Sequence, residues 1–186
     1  MLSIRTQRLL LRPFELADAR AFAAYRSDPE VARYQSWTAP YALAAAQELI
    51  TEVRMRQLTP PLPGEWHQIA IELAADQPAA ATLIGDFAFR LHLDDARQAD
   101  IGFTLARPYQ HRGYATEAVR ALLHHLFTEL RLHRVTATCD AENLPSQRVL
   151  ERIGMRREGH FVNNTLFKGA WGSEFAYAIL RSEWQA

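Results

Sequence analysis

The chain has 186 residues, 48% of them hydrophobic, and its 21 basic side chains balance 21 acidic ones. The length suits one domain with a sizeable core, covering residues 1–186, and the charge balance excludes the strong net field behind nonspecific nucleic-acid or membrane binding. A single cysteine, Cys139, excludes an intrachain disulfide, and with neither a leader-like segment nor an apolar run of about 18 residues, we expect a soluble cytoplasmic protein.

The residue pattern in the first third of the chain predicts one strand followed by helices. Leu9 to Leu11 should form a short buried strand that ends at Pro13, because proline has no amide hydrogen for a ladder. Mixed apolar faces predict a helix over 15–26 and another over 40–57, joined by a turn at 30–34. A proline near the start of the second helix is acceptable there.

Three strands should follow a proline-rich loop at 59–64. Alternating or continuous apolar residues predict strands at 66–73, 82–91 and 99–105, with a flexible connection at 74–81. Consecutive strands joined by turns pair antiparallel. The next helical segment begins after the third of these strands. This order predicts an α+β chain rather than a regular α/β alternation.

A glycine-containing loop precedes the longest predicted helix. From Ala115 to Leu130, apolar residues recur every three or four positions, as on one face of an α-helix. The first turn of a helix has unpaired amides and a positive potential, and Gly113 lets a bulky anion approach the backbone. His111 and Arg112 add donors beside it. Because the loop has neither the P-loop nor the Gly-x-Gly-x-x-Gly pattern, we predict another kind of diphosphate as its ligand.

The remaining segment predicts a strand, a helix and a final strand. Alternation over 134–139 predicts a strand that the helical crossover makes parallel to the 99–105 strand. Asn143 should cap the next helix and Gly154 should end it. After that we expect a loop over 163–172 and a last strand over 174–180.

Three groups of residues resemble the signatures of the GNAT-type N-acetyltransferases, in particular the RimJ/RimL-like branch. Gln110-x-x-Gly113-x-Ala115 resembles the Gln/Arg-x-x-Gly-x-Gly/Ala acyl-CoA motif. Asn143-x-x-Ser146 followed by Gly154 resembles the Asn-x-x-Ser helix of that branch and its glycine ending. The third group lies at the two ends of the chain: Thr6 to Pro13, Asp18, Lys168, Gly169, Trp171, Tyr177, Glu183 and Trp184.

The resemblance implies a fold and an activity. The expected fold is a single α+β domain, a mixed and mostly antiparallel twisted sheet flanked by helices, whose central parallel strand pair is splayed to admit coenzyme A. The expected activity is direct transfer of an acetyl group from acetyl-CoA to a primary amine in a ternary complex. The implied cofactor contacts are Phe103, Thr104, Leu105, Gln110, His111, Arg112, Gly113, Tyr114, Ala115, Thr116, Asn143 and Ser146.

The resemblance also implies two catalytic residues. Asp100 would accept the proton of the amine, and Ser146 would protonate the leaving thiolate. Similar sequences mostly have glutamate at the position of Asp100, so a substrate contact or a plain surface role stays open for this shorter side chain. For Ser146 the alternative is local hydrogen bonding at a helix start. Asn143 is open in the same way, as a helix cap or a pantetheine contact.

The binding site for the amine acceptor has the fewest sequence signals. Loops that flank the acceptor cleft in similar proteins would here contain Tyr34, Gln35, Trp37, Trp66, Asn163, Asn164 and Trp171. Ser173 stands where many similar sequences have aspartate, so a ribosomal-protein N-terminus, another peptide amine, and a small amine or antibiotic all remain open. The histidines lack a metal-ligand spacing, so we expect no metal site. Aromatic residues in the C-terminal strands are compatible with a homodimer.

Two functions of other classes compete with the enzyme. A noncatalytic acyl-CoA-binding module would have the same loop but would not need Asp100 or Ser146. A nucleic-acid binder using Arg112 and Arg120 is disfavoured by the neutral charge. Acetyl-CoA and an amine are therefore the expected partners, without nucleic acid or membrane.

Overall fold

Eight strands form one mixed sheet in the computed structural model, which describes residues 2–56, 61–74 and 82–185. The strands are β1 (Ile4–Arg5), β2 (Leu9–Arg12), β3 (Trp66–Leu73), β4 (Thr82–Leu91), β5 (Gln98–Leu105), β6 (Arg134–Asp140), β7 (Arg156–Phe167) and β8 (Ala170–Leu180). Their spatial order is β1-β2-β3-β4-β5-β6-β8-β7, and only β5 and β6 pair in parallel. This arrangement confirms the predicted α+β class.

Among the described residues, five α-helices cover the two faces of the sheet. They are α1 (Ala19–Arg26), α2 (Pro29–Ala32), α3 (Leu43–Arg56), α4 (Tyr114–Thr128) and α5 (Leu144–Arg152). In the described part of the chain, none of the helices is long and apolar enough to cross a bilayer.

The parallel pair opens partway along its length. The ladder between β5 and β6 ends at the pair Asp100 and Thr136. Beyond it β5 stays paired with β4 as far as Leu105, and β6 stays paired with β8 as far as Asp140. The two central strands are thus each held by an outer neighbour while they separate from one another, which leaves a gap in the middle of the sheet.

Two hydrophobic cores lie on opposite faces of the sheet. The larger one contains the apolar face of α4, where Leu122, Leu123 and Leu126 are fully buried. Each such side chain contributes about 1.5–3 kcal/mol of hydrophobic stabilisation. The smaller core gathers around Phe22 and Ile50, from α1 and α3. The helix α4 predicted from residue spacing is confirmed, and its burial fixes the position of the loop in front of it.

Three sequence predictions about local structure were wrong in their boundaries. The segment expected as a turn at 30–34 begins as helix α2, because Pro29 suits a first helical position and the Asp28 carboxylate accepts a hydrogen bond from the Glu30 amide. The helix expected from Pro40 begins at Leu43. The expected loop at 59–64 and connection at 74–81 lie partly outside the described residues.

The third correction concerns the C-terminal hairpin. The segment 163–172, expected to be a loop, belongs to the strands β7 and β8, and only Lys168 and Gly169 form the turn, both with positive φ. β7 is an edge strand with most of its side chains exposed on both faces, so it lacks the alternation of apolar residues that identifies a half-buried strand.

Candidate functional site

A cavity of about 450 Å³ lies at the gap between the central strands. Four parts of the chain form its wall: the end of β5, the loop and first turn of α4, one face of α5 with its N-cap, and α2 with the turn after it. Eleven of the predicted cofactor contacts line this cavity: Phe103, Thr104, Leu105, Gln110, His111, Gly113, Tyr114, Ala115, Thr116, Asn143 and Ser146. Arg112 is the predicted contact that does not.

The loop before α4 is held in place by side chains on both sides. Gln110 donates from Nε2 to the Leu105 carbonyl at 2.9 Å, which ties the loop to the end of β5. Arg8 donates to the Arg112 carbonyl at 3.0 Å from the opposite side. Gly113 has a φ of 83° and is the N-cap of α4. This left-handed conformation favours glycine.

The N-terminus of α4 can bind an anion. No side chain of the described residues caps it, so the positive end of the helix dipole and the first-turn amides are available at the cavity wall. A phosphate group has the negative charge and the acceptor oxygens that complement this positive potential and these amide donors. The donor set therefore fits the diphosphate of coenzyme A.

The start of α5 forms the opposite wall. The Asn143 side chain accepts a hydrogen bond from the Ser146 amide at 3.2 Å, so the predicted cap is present. The Ser146 hydroxyl lines the cavity and makes no hydrogen bond with another described residue. It is therefore available as a proton donor to a ligand in the cavity.

Asp100 lies at the closed end of the gap and is not among the residues that line the cavity. Its carboxylate accepts hydrogen bonds from Arg90 at 2.8 Å and from the Thr136 hydroxyl at 2.7 Å, and the His92 ring lies 3.2 Å away. Burial alone would raise the pKa of Asp100, but these partners outweigh it and hold the pKa below its ordinary value. The carboxylate is thus ionised and engaged, which are poor properties for a general base at neutral pH.

Among the predicted acceptor residues, Tyr34 and Gln35 line the cavity. The Tyr34 hydroxyl donates to the Glu142 carbonyl at 3.3 Å, while Lys168 of the β7–β8 turn donates to the Ala32 carbonyl at 2.6 Å. The segment from α2 to Tyr34 is therefore tied at two points to the other side of the gap.

The other predicted acceptor residues lie away from the cavity wall. Trp37 packs against Arg26, whose guanidinium carbon lies 3.9 Å from the centroid of the Trp37 ring. Trp66 of β3 packs against the guanidinium of Arg90 of β4. On the outer hairpin, Asn164 binds Glu174 and Trp171 is 65% exposed.

Sequence reasoning missed seven residues that line the cavity. They are Glu30, Val31, Arg33, Pro145, Arg148, Val149 and Arg152. The four on α5 are spaced i, i+3, i+4 and i+7, so the helical period alone would have placed them on one face of this helix. The three around α2 carry no comparable sequence signal.

A buried polar cluster lies behind the cavity. Asp86 of β4 faces Thr104 in the ladder, and its carboxylate accepts a hydrogen bond from the Tyr25 hydroxyl and lies 3.5 Å from Arg26. Burial raises the pKa of both Asp86 and Tyr25. The cluster joins α1 to the sheet.

Cys139 has the properties of a packing residue. It is half-buried at the end of β6, and burial raises the pKa of its thiol to about 11. A protonated thiol is a poor nucleophile. Among the described residues, no group of three or more histidine, cysteine or acidic side chains is placed to hold a metal ion.

Comparison with known proteins gives three kinds of match. A family model described as an acetyltransferase (GNAT) domain matches residues 8–156. The N-acetyltransferase YnaD of Bacillus subtilis is 35% identical over 97% of this chain and 98% of its own length. The ribosomal protein uS5-alanine N-acetyltransferase of Escherichia coli is 25% identical over 84 residues, 45% of this chain and 43% of that protein.

A solved structure provides the third kind of match. Mycobacterium smegmatis RimJ in complex with CoA-disulfide has a TM-score of 0.78 and 28% identity, over 94% of this chain and 83% of that one.

Proposed function

The chain belongs to the GNAT acetyltransferase family and is an N-acetyltransferase, and from this premise we propose that its acceptor is the α-amine of a peptide N-terminus. The family fold implies acetyl-CoA as cosubstrate. One observation supports acetyl transfer at this site: the cavity at the splayed strands has an uncapped helix N-terminus on one wall and an unpaired Ser146 hydroxyl on the other.

The residues that would hold acetyl-CoA follow from the two walls. The amides at the start of α4, with Gly113 allowing close approach, would bind the diphosphate, and His111 would add a donor. The unpaired edge of β5 at Phe103 and the Asn143 side chain would bind the pantetheine amides, as an open strand edge binds an extended ligand. A volume of about 450 Å³ is within the usual range for ligand pockets.

The chemistry needs a positioned amine and a proton for the leaving sulfur. Acetyl-CoA supplies the acetyl group as a thioester. As the bond from the amine nitrogen to the carbonyl carbon forms and the carbon–sulfur bond breaks, the amine loses a proton and the sulfur gains one. Ser146 gives its hydroxyl proton to the sulfur and regains one from solvent water. Fixing the two reactants side by side supplies much of the rate.

The amine proton has two candidate acceptors. Asp100 was expected from the resemblance, but its three partners and its place outside the cavity favour a role in fixing β4, β5 and β6 together. Glu30 is the single carboxylate among the described residues of the cavity wall. We therefore assign the ammonium contact and the proton to Glu30, directly or through water.

A peptide acceptor agrees with the α2 side of the cavity. Arg33, Tyr34 and Gln35 line this side, and these polar side chains can hydrogen-bond a peptide backbone beyond its first residue. The E. coli relative named above acts on an alanine of a ribosomal protein. A small amine would need a more enclosed wall around it.

The experiment is acetyl-CoA consumption with three acceptor sets. One contains short peptides with a free N-terminus, the second contains the same peptides blocked at the N-terminus and carrying an internal lysine, and the third contains small amines and aminoglycosides. We expect turnover with the first set alone. Turnover confined to either other set would contradict the proposed acceptor, and tight cofactor binding without any turnover would favour a noncatalytic module.

Assembly is a separate part of the proposal. The β7–β8 hairpin exposes Phe161, Val162, Leu166 and Trp171, each at least half exposed, beside an edge strand. Apolar groups clustered on an open sheet edge are typical of an interaction surface. We assign this surface to a homodimer.

A further inference from the structure

Gly102, in the middle of β5, is a glycine that the fold does not require. Its φ lies outside the left-handed region, so other residues can adopt its backbone conformation. A Cβ built on it would have no atom within 4 Å among the described residues, apart from its chain neighbours. Glycine inside a strand weakens the strand, because it has no side chain to pack and loses more chain entropy on folding. The space beside Gly102 is therefore open at a cost to stability.

The other glycines of the described strands do not face such a space. At Gly85 in β4, a Cβ would lie 2.2 Å from a backbone oxygen of β5, so the fold excludes a side chain there. At Gly159 in β7, it would lie 3.2 Å from a phenylalanine ring. At Gly172 in β8, the nearest atoms would be at 3.7 Å, which is an ordinary contact. Neighbouring atoms thus account for the first two, and Gly102 stands apart from all three.

The open space lies between the cavity and the closed end of the strand gap. Side chains alternate between the two faces of a strand, and Ala99 and Ile101 belong to the larger core. Asp100, Gly102 and Thr104 therefore share the other face. Thr104 lines the cavity, and the ladder between β5 and β6 ends at Asp100. The space beside Gly102 thus continues the cavity toward its closed end.

The order of the proposed contacts along β5 indicates what would enter this space. The diphosphate is assigned to the loop before α4 and the pantetheine to the edge of β5 at Phe103, so the thioester comes next, toward Gly102. The amine has to reach the thioester carbonyl from a direction that the pantetheine does not occupy. The first α-carbon of a peptide is bonded to the attacking nitrogen, so the side chain on that carbon also lies beside the thioester.

We propose that the space beside Gly102 receives the side chain of the first residue of the acceptor peptide. Gly102 is then a specificity-determining residue, because any side chain at this position would occupy the same space. Two carbon groups are in contact at about 4 Å, so a space that is empty to this distance around a Cβ has room for further atoms. The assignment rests on the peptide acceptor and the acetyl-CoA site proposed above.

Steady-state acetylation of three peptides that differ only in their first residue, glycine, serine or leucine, tests the assignment. The proteins are the wild type, Gly102→Ala and Gly102→Val. Gly172→Ala is the matched control, because Gly172 also lies in a strand with room for a Cβ but is outside the cavity wall. Both alanine variants should melt at the wild-type temperature or up to about 4 °C above it, since alanine suits a strand interior better than glycine.

We expect the wild type to acetylate all three peptides. Gly102→Ala should lower kcat/KM for the leucine peptide at least tenfold relative to the glycine peptide, because one methyl group in a pocket changes kcat/KM about 10–200-fold. Gly102→Val should extend the loss to the serine peptide. Calorimetry on the CoA-bound enzyme should show peptide affinities that change in the same order. The affinity for acetyl-CoA should stay within twofold, and the control should keep the wild-type ratios.

Four results would overturn the assignment. An equal loss for all three peptides, or weaker binding of acetyl-CoA, would place the thioester itself beside Gly102. Unchanged ratios in both Gly102 variants would show that no part of the acceptor lies there. A wild type that accepts the glycine peptide alone would show that no side chain enters the space. A wild type that binds acetyl-CoA but acetylates none of the peptides would instead remove the proposed acceptor, and this assignment with it.

Discussion

Single residues at this site divide into those that face the cavity and those that hold the sheet. Ser146 belongs to the first group, because its hydroxyl is unpaired and lines the cavity while its amide serves the Asn143 cap. Asp100 belongs to the second, because Arg90 of β4, Thr136 of β6 and His92, just after β4, surround its carboxylate. The two substitutions below separate these roles, since one should affect turnover and the other folding stability.

Ser146→Ala should lower kcat about a hundredfold to ten-thousandfold, the usual span for a positioned general acid. The affinity for acetyl-CoA should change little, because the hydroxyl acts on the sulfur as it leaves and the helix cap uses the backbone amide. Steady-state kinetics and calorimetry check this, with Ser182→Ala as an exposed control outside the cavity wall. Unchanged kcat would leave the thiolate to take its proton from water.

Asp100→Asn should lower the free energy of unfolding by about 1 kcal/mol near neutral pH, because the ion pair with Arg90 becomes a hydrogen bond from the guanidinium to an uncharged amide. The pKa of Asp100 is lower in the folded state than in the unfolded chain. Its stabilisation is therefore full above about pH 4, the unfolded value, and is lost as the pH falls through the folded pKa. Denaturant titrations at several pH values check this.

The same variant also tests the base assignment. If the carboxylate only fixes the strands, the acidic limb of the pH–rate profile should stay in place and kcat should remain within a few fold. Glu30→Gln should move that limb instead, since Glu30 lines the cavity. A shift of the limb in Asp100→Asn alone would return the base role to Asp100.

At the scale of elements, two helix starts and one strand gap create the site. α4 and α5 both begin at the cavity, one with an uncapped N-terminus and the other with a cap from Asn143. The gap exists because β5 and β6 keep their outer partners while their shared ladder ends at Asp100. The α2 segment closes one side through Lys168 and Tyr34.

Gly113→Asp should abolish the rise in melting temperature caused by acetyl-CoA. At one hundred times the dissociation constant, that rise corresponds to about 2.7 kcal/mol in the wild type. The new carboxylate would repel the diphosphate at the start of α4. Thermal unfolding with and without ligand measures the effect.

Gly169→Asp is the matched control for this prediction. Its φ of 85° nearly equals the 83° of Gly113, so both substitutions place a side chain in a left-handed conformation, but Gly169 lies in the β7–β8 turn. Both variants should melt at lower temperature without ligand, and only Gly169→Asp should still respond to acetyl-CoA. Retained stabilisation in Gly113→Asp would place the cofactor away from α4.

At the scale of the whole molecule, charge and apolar surface point to association through one edge. The protein is neutral overall, with 21 charges of each sign, so no strong repulsion keeps two copies apart. The exposed apolar side chains of the β7–β8 hairpin are at the opposite end of the sheet from β1. An association there would leave the other sheet edge unaffected.

Sedimentation should show a dimer of the wild type at micromolar concentration. Leu166→Ser combined with Trp171→Ser should shift it to monomer, because the two face each other in the hairpin ladder and are both exposed. Leu93→Ser is the control, since Leu93 is 81% exposed in the β4–β5 connection. A wild type that is entirely monomeric at that concentration would remove the dimer proposal.

The sequence by itself determined the elements whose cause is local. The three-and-four spacing of apolar residues predicted α4, Gly113 predicted the turn before it, and Asn143 predicted the cap of α5. Each of these depends on residues within a few positions of one another, where backbone geometry alone sets the outcome. The same local spacing would have placed Arg148 and Arg152 on the cavity face.

Only the tertiary structure decided which distant residues meet. Asp100 is engaged by Arg90 and Thr136 because the ladders of β4, β5 and β6 bring the three into one register, and no local pattern specifies that register. The contact between Lys168 and Ala32 joins positions 136 residues apart. Such contacts follow from strand order and helix docking, which the packing of the whole chain selects by the apolar surface that it buries.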